Sequence, residues 1–379
     1  MPKEILVNGI TLEGANIVPL LLKIKKWQSL GCSVSFFGVH ALREQIEQVG
    51  IIREYNFIEF FHGKKTTNRI SFIFESLRRN FLAIFNLRFF IGKFDIVYTI
   101  SPVLDLILLP YFLRKFDKKI KWFSVFDNSV PLLMNGKFVA GNKIIRLLAW
   151  VFYKVSLLFL HSADCVFVIK SELVGYMLNH GFTKRQLVIT GNGVEKDLIV
   201  NAKKMPDYNI DALFVGRINE AKGIYDMLKV LEIVKEKMAN FQLAIMGKGD
   251  NETEKKFRER IVDIKLENNI KFLGYKIGQE KFNIIKSSKT FLFLSETESV
   301  PIAPLEAVCS GLKTLVYDLD AYNMYKNNEI IIFKKNDYKS VAEKIIDIFE
   351  SDDFKNDKGK LLVERYSWDA ISELEHSFF

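Results

Sequence analysis

The sequence has little cysteine and no long uninterrupted apolar run. Three cysteines, Cys32, Cys165 and Cys309, are scattered over 379 residues, and this odd number draws neither a disulfide framework nor a zinc-ligand spacing. A reducing compartment is expected. The most apolar stretch, "IIRLLAWVFYKVSLLFL" at residues 144–160, is interrupted by Arg146 and Lys154 and falls short of the roughly 20 clean residues that a spanning helix needs. It reads as a buried or interfacial helix. The opening "MPKEILVNGI" enters an apolar strand without the basic, long-apolar and small-residue order of a signal peptide, so the expected location is cytoplasmic. Histidine is scarce as well. His40, His62, His161, His180 and His376 show no spacing that suggests a metal site or a catalytic triad, and none is assigned a catalytic role.

What is present is enough for two domains of ordinary size, each with its own core. The hydrophobic fraction of 49% and charged fraction of 26% are those of a globular protein, with a high count of 33 phenylalanines. Charge is uneven. Residues 1–190 hold 25 Lys and Arg against 13 Asp and Glu, a net of +12, and 21 of the phenylalanines; the remainder holds 29 against 32, a net of −3. A basic, aromatic half suits either an anionic lipid or polyanionic partner or a solvated lysine-rich surface around a Phe-rich core. A nucleic-acid partner is not expected, because no aromatic or helical motif tied to bases accompanies the charge.

The chain alternates short β-branched or aromatic runs with longer amphipathic ones. "EILVNGI", "SVSFFG", "FDIVYTI", "KWFSVFD", "CVFVIK" and "LVITGNG" read as strands, with helices such as "IVPLLLKIKKWQSLG" and "ALREQIEQVG" between several of them. After the Gly- and Pro-containing 191–210 the alternation restarts with "DALFVG", "FQLAIMG", "IKFLGY", "TFLFLS", "KTLVYD" and "EIIIF". The expected fold is α/β, with two Rossmann-like doubly wound domains, 1–190 and 191–366, facing across a cleft. Residues 367–379 are expected to form a helix packing back toward the first domain.

Four features of the second domain fall where strands give way to loops. In "FVGRINEAKGI", Gly216 ends a strand and Arg217 and Lys222 flank the turn into a helix. Two cations beside a helix amino terminus can hold an anion; alternatively Arg217 pairs with Glu220 on the surface. "IMGKGD" and "IKFLGYKIG" end strands in Gly247 and in Gly274 with Tyr275, positions that serve a turn or a close ligand approach. The fourth is "SETESVPIAPLEAVCSG", with Ser299 as a helix cap, Glu298 before the helix and Glu306 inside it. Such carboxylates suit acid–base chemistry or a grip on the hydroxyls of a ribose or sugar.

"GRINEAKG" followed some 80 residues on by "ETESVPIAPLEAVCSG", with "MGKGD", "FLGY" and "YSWDAI" in order, resembles the group 4 retaining glycosyltransferases of the GT-B fold. The likeness is close over residues 120–379 and loose over 1–120. It implies a metal-independent enzyme with no cofactor, whose donor substrate is a nucleoside-diphosphate sugar. Arg217 and Lys222, following Gly216, would bind the diphosphate and take the place of a metal. Glu298 would contact the donor sugar, Glu306 the ribose, the backbone N–H groups of Ile302 and Ala303 the phosphates, and Tyr275 would lie near the base. In the first domain, Gly14 of "NGITLEGANI" would approach the donor phosphates, although the family's paired glycines are here Glu13 and Gly14. Where members often carry a histidine reaching the donor sugar, "KWFSVFDNS" has Phe126. The resemblance therefore leaves two functions open: transfer of a sugar to a glycan or lipid-linked acceptor at the cytoplasmic membrane face, or nucleotide-sugar binding without transfer.

One further segment bears on the membrane. On a helix, Phe74, Leu77, Phe81, Ile84 and Phe85 of residues 68–93 share one stripe with Arg78, Arg79 and Arg88 around it, the pattern of a helix on an anionic bilayer or of a core-packed helix with solvated arginines.

Overall fold

The computed structural model describes residues 2–12, 15–60, 69–127, 143–298, 300–325 and 330–379. They form two units, Met1–Gly191 with Trp368–Phe379, and Asn192–Ser367. The expected cap Ser299 and the glycine-loop residue Gly14 lie outside the described residues, as does His62.

The first unit is built on seven parallel strands: β1 (Lys3–Asn8), β2 (Cys32–Phe37), β3 (Asn56–Ile58), β4 (Ile96–Thr99), β5 (Lys121–Phe126), β6 (Cys165–Val168) and β7 (Leu187–Ile189), ordered β3-β2-β1-β4-β5-β6-β7. The inner strands are near-continuous apolar runs because helices cover both faces of the sheet. Phe36, Tyr98, Trp122 and Phe167 are fully buried there. β3 is absent from the sequence reading because three half-exposed residues at a sheet edge carry too little pattern to register.

The helix Trp368–His376 packs on the helix Val18–Ser29. Its Glu375 is fully buried, 2.6 Å from Lys23 Nζ, and accepts a hydrogen bond from the Tyr98 hydroxyl at 2.9 Å. The Trp27 indole N–H donates to the carbonyl of Ser372, and the Phe379 ring meets Trp27 and Phe123 at 5.1 and 5.0 Å between centroids. A buried ion pair needs this closure of its remaining hydrogen bonds to offset desolvation.

The second unit has six parallel strands: β8 (Ile210–Val215), β9 (Leu243–Met246), β10 (Ile270–Gly274), β11 (Ser288–Phe293), β12 (Lys313–Tyr317) and β13 (Ile331–Phe333), ordered β10-β9-β8-β11-β12-β13. From β8 the chain moves outward to β9 and β10 on one side. It then returns to β11 and continues to β12 and β13 on the other, so the order reverses between β8 and β11.

Candidate functional site

A doubly wound sheet opens a crevice at the carboxyl ends of the two strands where the order reverses. In the second unit these are the ends of β8 and β11, and the sequence motifs stand on them. After β8, the N–H of Gly216 donates to the carbonyl of Met246 at 3.0 Å and that of Ile218 to Lys248 at 3.1 Å, which ties this loop to the end of β9. Arg217 between them is exposed and makes no hydrogen bond or ion pair with its neighbours among the described residues. The alternative surface pair with Glu220 is not formed there.

A single helical turn, Glu220–Lys222, follows, with Asn219 Oδ1 accepting from the Lys222 N–H at 3.1 Å. Gly223 then takes φ +73° and leads into the helix Ile224–Lys237. A Cβ at this glycine would lie 1.8 Å from the Leu294 carbonyl oxygen, so the turn rests directly on the end of β11. Two hydrogen bonds stitch the loops further: Glu296 N–H and Ser295 Oγ both donate to the Ala221 carbonyl, at 3.0 and 2.9 Å.

This stitching brings Lys222 to Glu298. Nζ and Oε1 are 2.5 Å apart, with the side chains 20% and 7% exposed. Lys222 Nζ also stands 5.5 Å from the centre of the Phe293 ring. With the positive ends of two helices, Ile224–Lys237 and Ile302–Cys309, beginning beside the same strand ends, the crevice has the electrostatics of an anion site.

Glu306, in the helix Ile302–Cys309, is 4% exposed and pairs at 2.5 Å with Lys281 from the helix Gly278–Ser287. Burial pushes its carboxyl above the ordinary range; Lys281 pulls it back, and the charge of Glu195 adds to the upward push. Glu195 is itself raised by burial, with Lys281 opposing. One lysine thus faces two carboxyl groups. The sequence reading singled out neither Lys281 nor Glu195, since a lysine on an amphipathic helix carries no signal that its partner is a buried acid 25 positions away.

The remaining expected residues are spread around these two pairs. Tyr275 follows β10 and is 67% exposed. Ala303 and Ile302 open their helix, and the N–H of Ile302 donates to the Val300 carbonyl at 3.0 Å, so that donor is already engaged. In the first unit, Phe126 ends β5 fully buried, its ring stacked on Tyr176 at 6.2 Å between centroids. It presents no polar group. His161 stacks on Phe182, and His180 bonds Lys154 Nζ and the Tyr176 carbonyl. Among the described residues no three His, Cys, Asp or Glu side chains come together as a metal would require.

Residues 195–360 match the family model of glycosyl transferases group 1. A glycosyltransferase of Methanocaldococcus jannaschii is 26% identical over 270 residues, 68% of this chain and 63% of its own. The phosphatidyl-myo-inositol mannosyltransferase of Mycobacterium leprae is 26% identical over 48% of this chain and 50% of its own. The matched part of the chain thus spans half to somewhat under two thirds of the length of these relatives. Among solved structures, Anabaena HepE in complex with UDP and glucose superposes with a TM-score of 0.70 at 12% identity, covering 100% of this chain and 99% of that one.

Proposed function

For a chain of the GT-B fold whose residues 195–360 match the family model of glycosyl transferases group 1, we propose a retaining glycosyltransferase that moves a sugar from a nucleoside-diphosphate donor to a glycan or lipid-linked acceptor at the cytoplasmic membrane face. The observation that carries this reading is the Lys222–Glu298 pair, set where the strand order reverses, within the family's matched region. A cation held beside a carboxylate in a partly dehydrated crevice suits a donor that brings a diphosphate and a polyhydroxylated ring together.

Arg217 and Lys222 hold the diphosphate and stabilise the charge that builds on it as the anomeric C–O bond breaks, the electrostatic contribution that dominates such transfers. The acceptor hydroxyl attacks from the face the diphosphate leaves, and its proton passes to the departing phosphate oxygen. Glu298 orients the donor sugar, Glu306 grips the ribose hydroxyls, and Tyr275 lies along the base. The N–H groups of Ile302 and Ala303 face the phosphates, which requires Ile302 to release Val300. Gly216 and Gly14 let backbone approach the donor. The two cations do the work of a metal. A lipid-linked acceptor is in keeping with the phosphatidyl-myo-inositol substrate in the name of the mycobacterial relative.

A second reading is favoured by one observation. Phe126 is buried where the family often places a histidine, so the fold can bind a nucleotide sugar and leave transfer impaired. Purified protein screened against a panel of nucleotide sugars, by thermal shift and by release of nucleoside diphosphate, separates the two. Binding with turnover supports the transferase, and binding without turnover across acceptors supports the second reading. Full turnover in both Lys222→Ala and Glu306→Ala would overturn the assignment of the site.

A further inference from the structure

The helix Arg69–Phe85 is inverted in polarity. Its inward face carries Ser76, Arg79 and Asn80, each at most 9% exposed, while Phe74, Leu77, Phe81 and Phe85 are 57–79% exposed. Two bonds to other elements hold this polar face inside: Arg79 donates to the Ile10 carbonyl at 3.1 Å and Ser76 Oγ to Asp105 at 3.1 Å. Within the helix, Arg79 pairs with Glu75 and Asn80 donates to the Ser76 carbonyl. A helix buried for its apolar surface would be turned the other way.

A second helix is apolar on its buried and its exposed side alike. Lys143–Leu160 buries Tyr153, Ser156, Leu157 and Leu160, and leaves Leu147, Leu148, Val151, Phe152 and Leu158 between 39% and 69% exposed. The helix Leu104–Phe116 packs between the two, so all three belong to one layer of the first unit. Large apolar side chains exposed in this number on two helices of one layer mark an interaction site rather than ordinary surface.

Its charge selects the partner. The helix Lys143–Leu160 contains no acid, and Glu75, the acid nearest the stripe on Arg69–Phe85, is taken by Arg78 and Arg79. Arg78 and Arg88 are exposed beside the phenylalanines. At the other end, where Tyr111 meets Phe159 at 4.6 Å, a recess of about 340 Å³ is lined by Tyr111, Arg114, Lys115, Lys118 and Ser162, next to the 63% exposed Phe116. A second copy of the chain would bring two basic halves, each net +12 over residues 1–190, into contact. A surface of anionic lipid would neutralise them.

We propose that this layer is the face by which the protein docks on an anionic bilayer, the exposed Phe and Leu side chains entering the acyl boundary and Lys115 and Lys118 at the recess taking lipid phosphate, Arg114 there being paired with Asp164. The inference deepens the proposed function and rests on it for the lipid-linked acceptor. No described helix is long and apolar enough to cross a membrane, so attachment through these helices is to the surface.

The test is cosedimentation of the full chain with vesicles of phosphatidylcholine alone or mixed with phosphatidylglycerol, for the natural protein and for Phe81→Ser/Phe85→Ser. The natural protein should pellet with the mixed vesicles, less so in high salt, and the double variant should bind at least about tenfold more weakly with its nucleotide-sugar thermal shift unchanged. No vesicle binding, equal binding to both compositions, or equal binding by the variant overturns the proposal. So does a dimer in sedimentation velocity that the variant dissolves, because the face then belongs to a second copy. Vesicle binding without any nucleotide-sugar binding leaves the docking face standing and removes the transferase reading instead.

Discussion

Lys222 and Glu298, 76 positions apart in sequence, form one ion pair of 2.5 Å at the junction of the two loops that follow β8 and β11. Each residue depends on the other. Removing the lysine leaves a carboxylate that is only 7% exposed without its cation, and removing the acid frees a cation for a phosphate.

Lys222→Met is therefore expected to lower nucleoside-diphosphate release by about a hundredfold or more and to lower the melting temperature, because an unpaired buried charge costs about 3–5 kcal/mol. In Lys222→Met/Glu298→Gln the melting temperature should recover while turnover stays low. Recovery of turnover in the double variant would mean that the pair is structural only.

The pair Lys281–Glu306 gives a different expectation. With Lys281→Met, nothing opposes the burial that raises the Glu306 carboxyl, and the acid should take up a proton at a higher pH than in the natural protein. A raised carboxyl contributes stability that is present below its unfolded value and is lost as pH rises through the folded one, so the variant should be most impaired at neutral and alkaline pH. Adding Glu306→Gln should reduce that pH dependence to the part that belongs to Glu195, which burial raises and Lys281 no longer opposes. Thermal melts from about pH 4, near the ordinary glutamate value, up to about pH 9 check both statements.

Gly223 and Gly274 separate backbone strain from collision. Their φ angles are +73° and +70°, but a Cβ at Gly223 meets the Leu294 carbonyl at 1.8 Å, whereas one at Gly274 meets nothing within 4 Å. Gly274→Ala should cost about 1–3 kcal/mol from φ alone. Gly223→Ala should cost more and should also abolish the thermal shift with nucleotide sugars, since the turn and the end of β11 must part. Denaturant unfolding followed in parallel for the two variants gives the comparison.

Acid should reveal the helix under the inverted stripe. Arg78, with Arg79, holds the Glu75 carboxyl at about 2, below its ordinary 4.5. A lowered carboxyl adds stability above its unfolded value and loses it as pH falls through the folded one. Glu75→Gln should thus be less stable than the natural protein at pH 7, and the gap should close between about 4.5 and about 2. A constant gap across that window would assign the effect to packing.

Much of the architecture is readable in the sequence, and the misses have physical causes. The six strands of the second unit are apolar runs ended by glycine or a turn, and each is visible, as are Arg217, Lys222 and Glu298 at the loops that follow and Glu306 in the helix beyond. Partners are not visible in the same way. That Lys222 meets Glu298 depends on the order reversing at β8 and β11, and that Lys281 meets Glu306 depends on long side chains from two separate helices reaching each other, neither of which has a local signal. The period of residues 69–85 shows a stripe without showing which side faces inward. Arg79 and Ser76 decide that through the Ile10 carbonyl and Asp105.

The placement of Trp368–Phe379 within the first unit sets a timetable for biosynthesis. On the ribosome, residues 1–191 emerge early with Lys23, Trp27 and Tyr98 lacking Glu375, Ser372 and Phe379, the groups that later cover and neutralise them. The intervening 192–367 must be synthesised before those partners exist. The half of the chain made first is thus the half whose core closes last, and until then it depends on not associating through the surface left open.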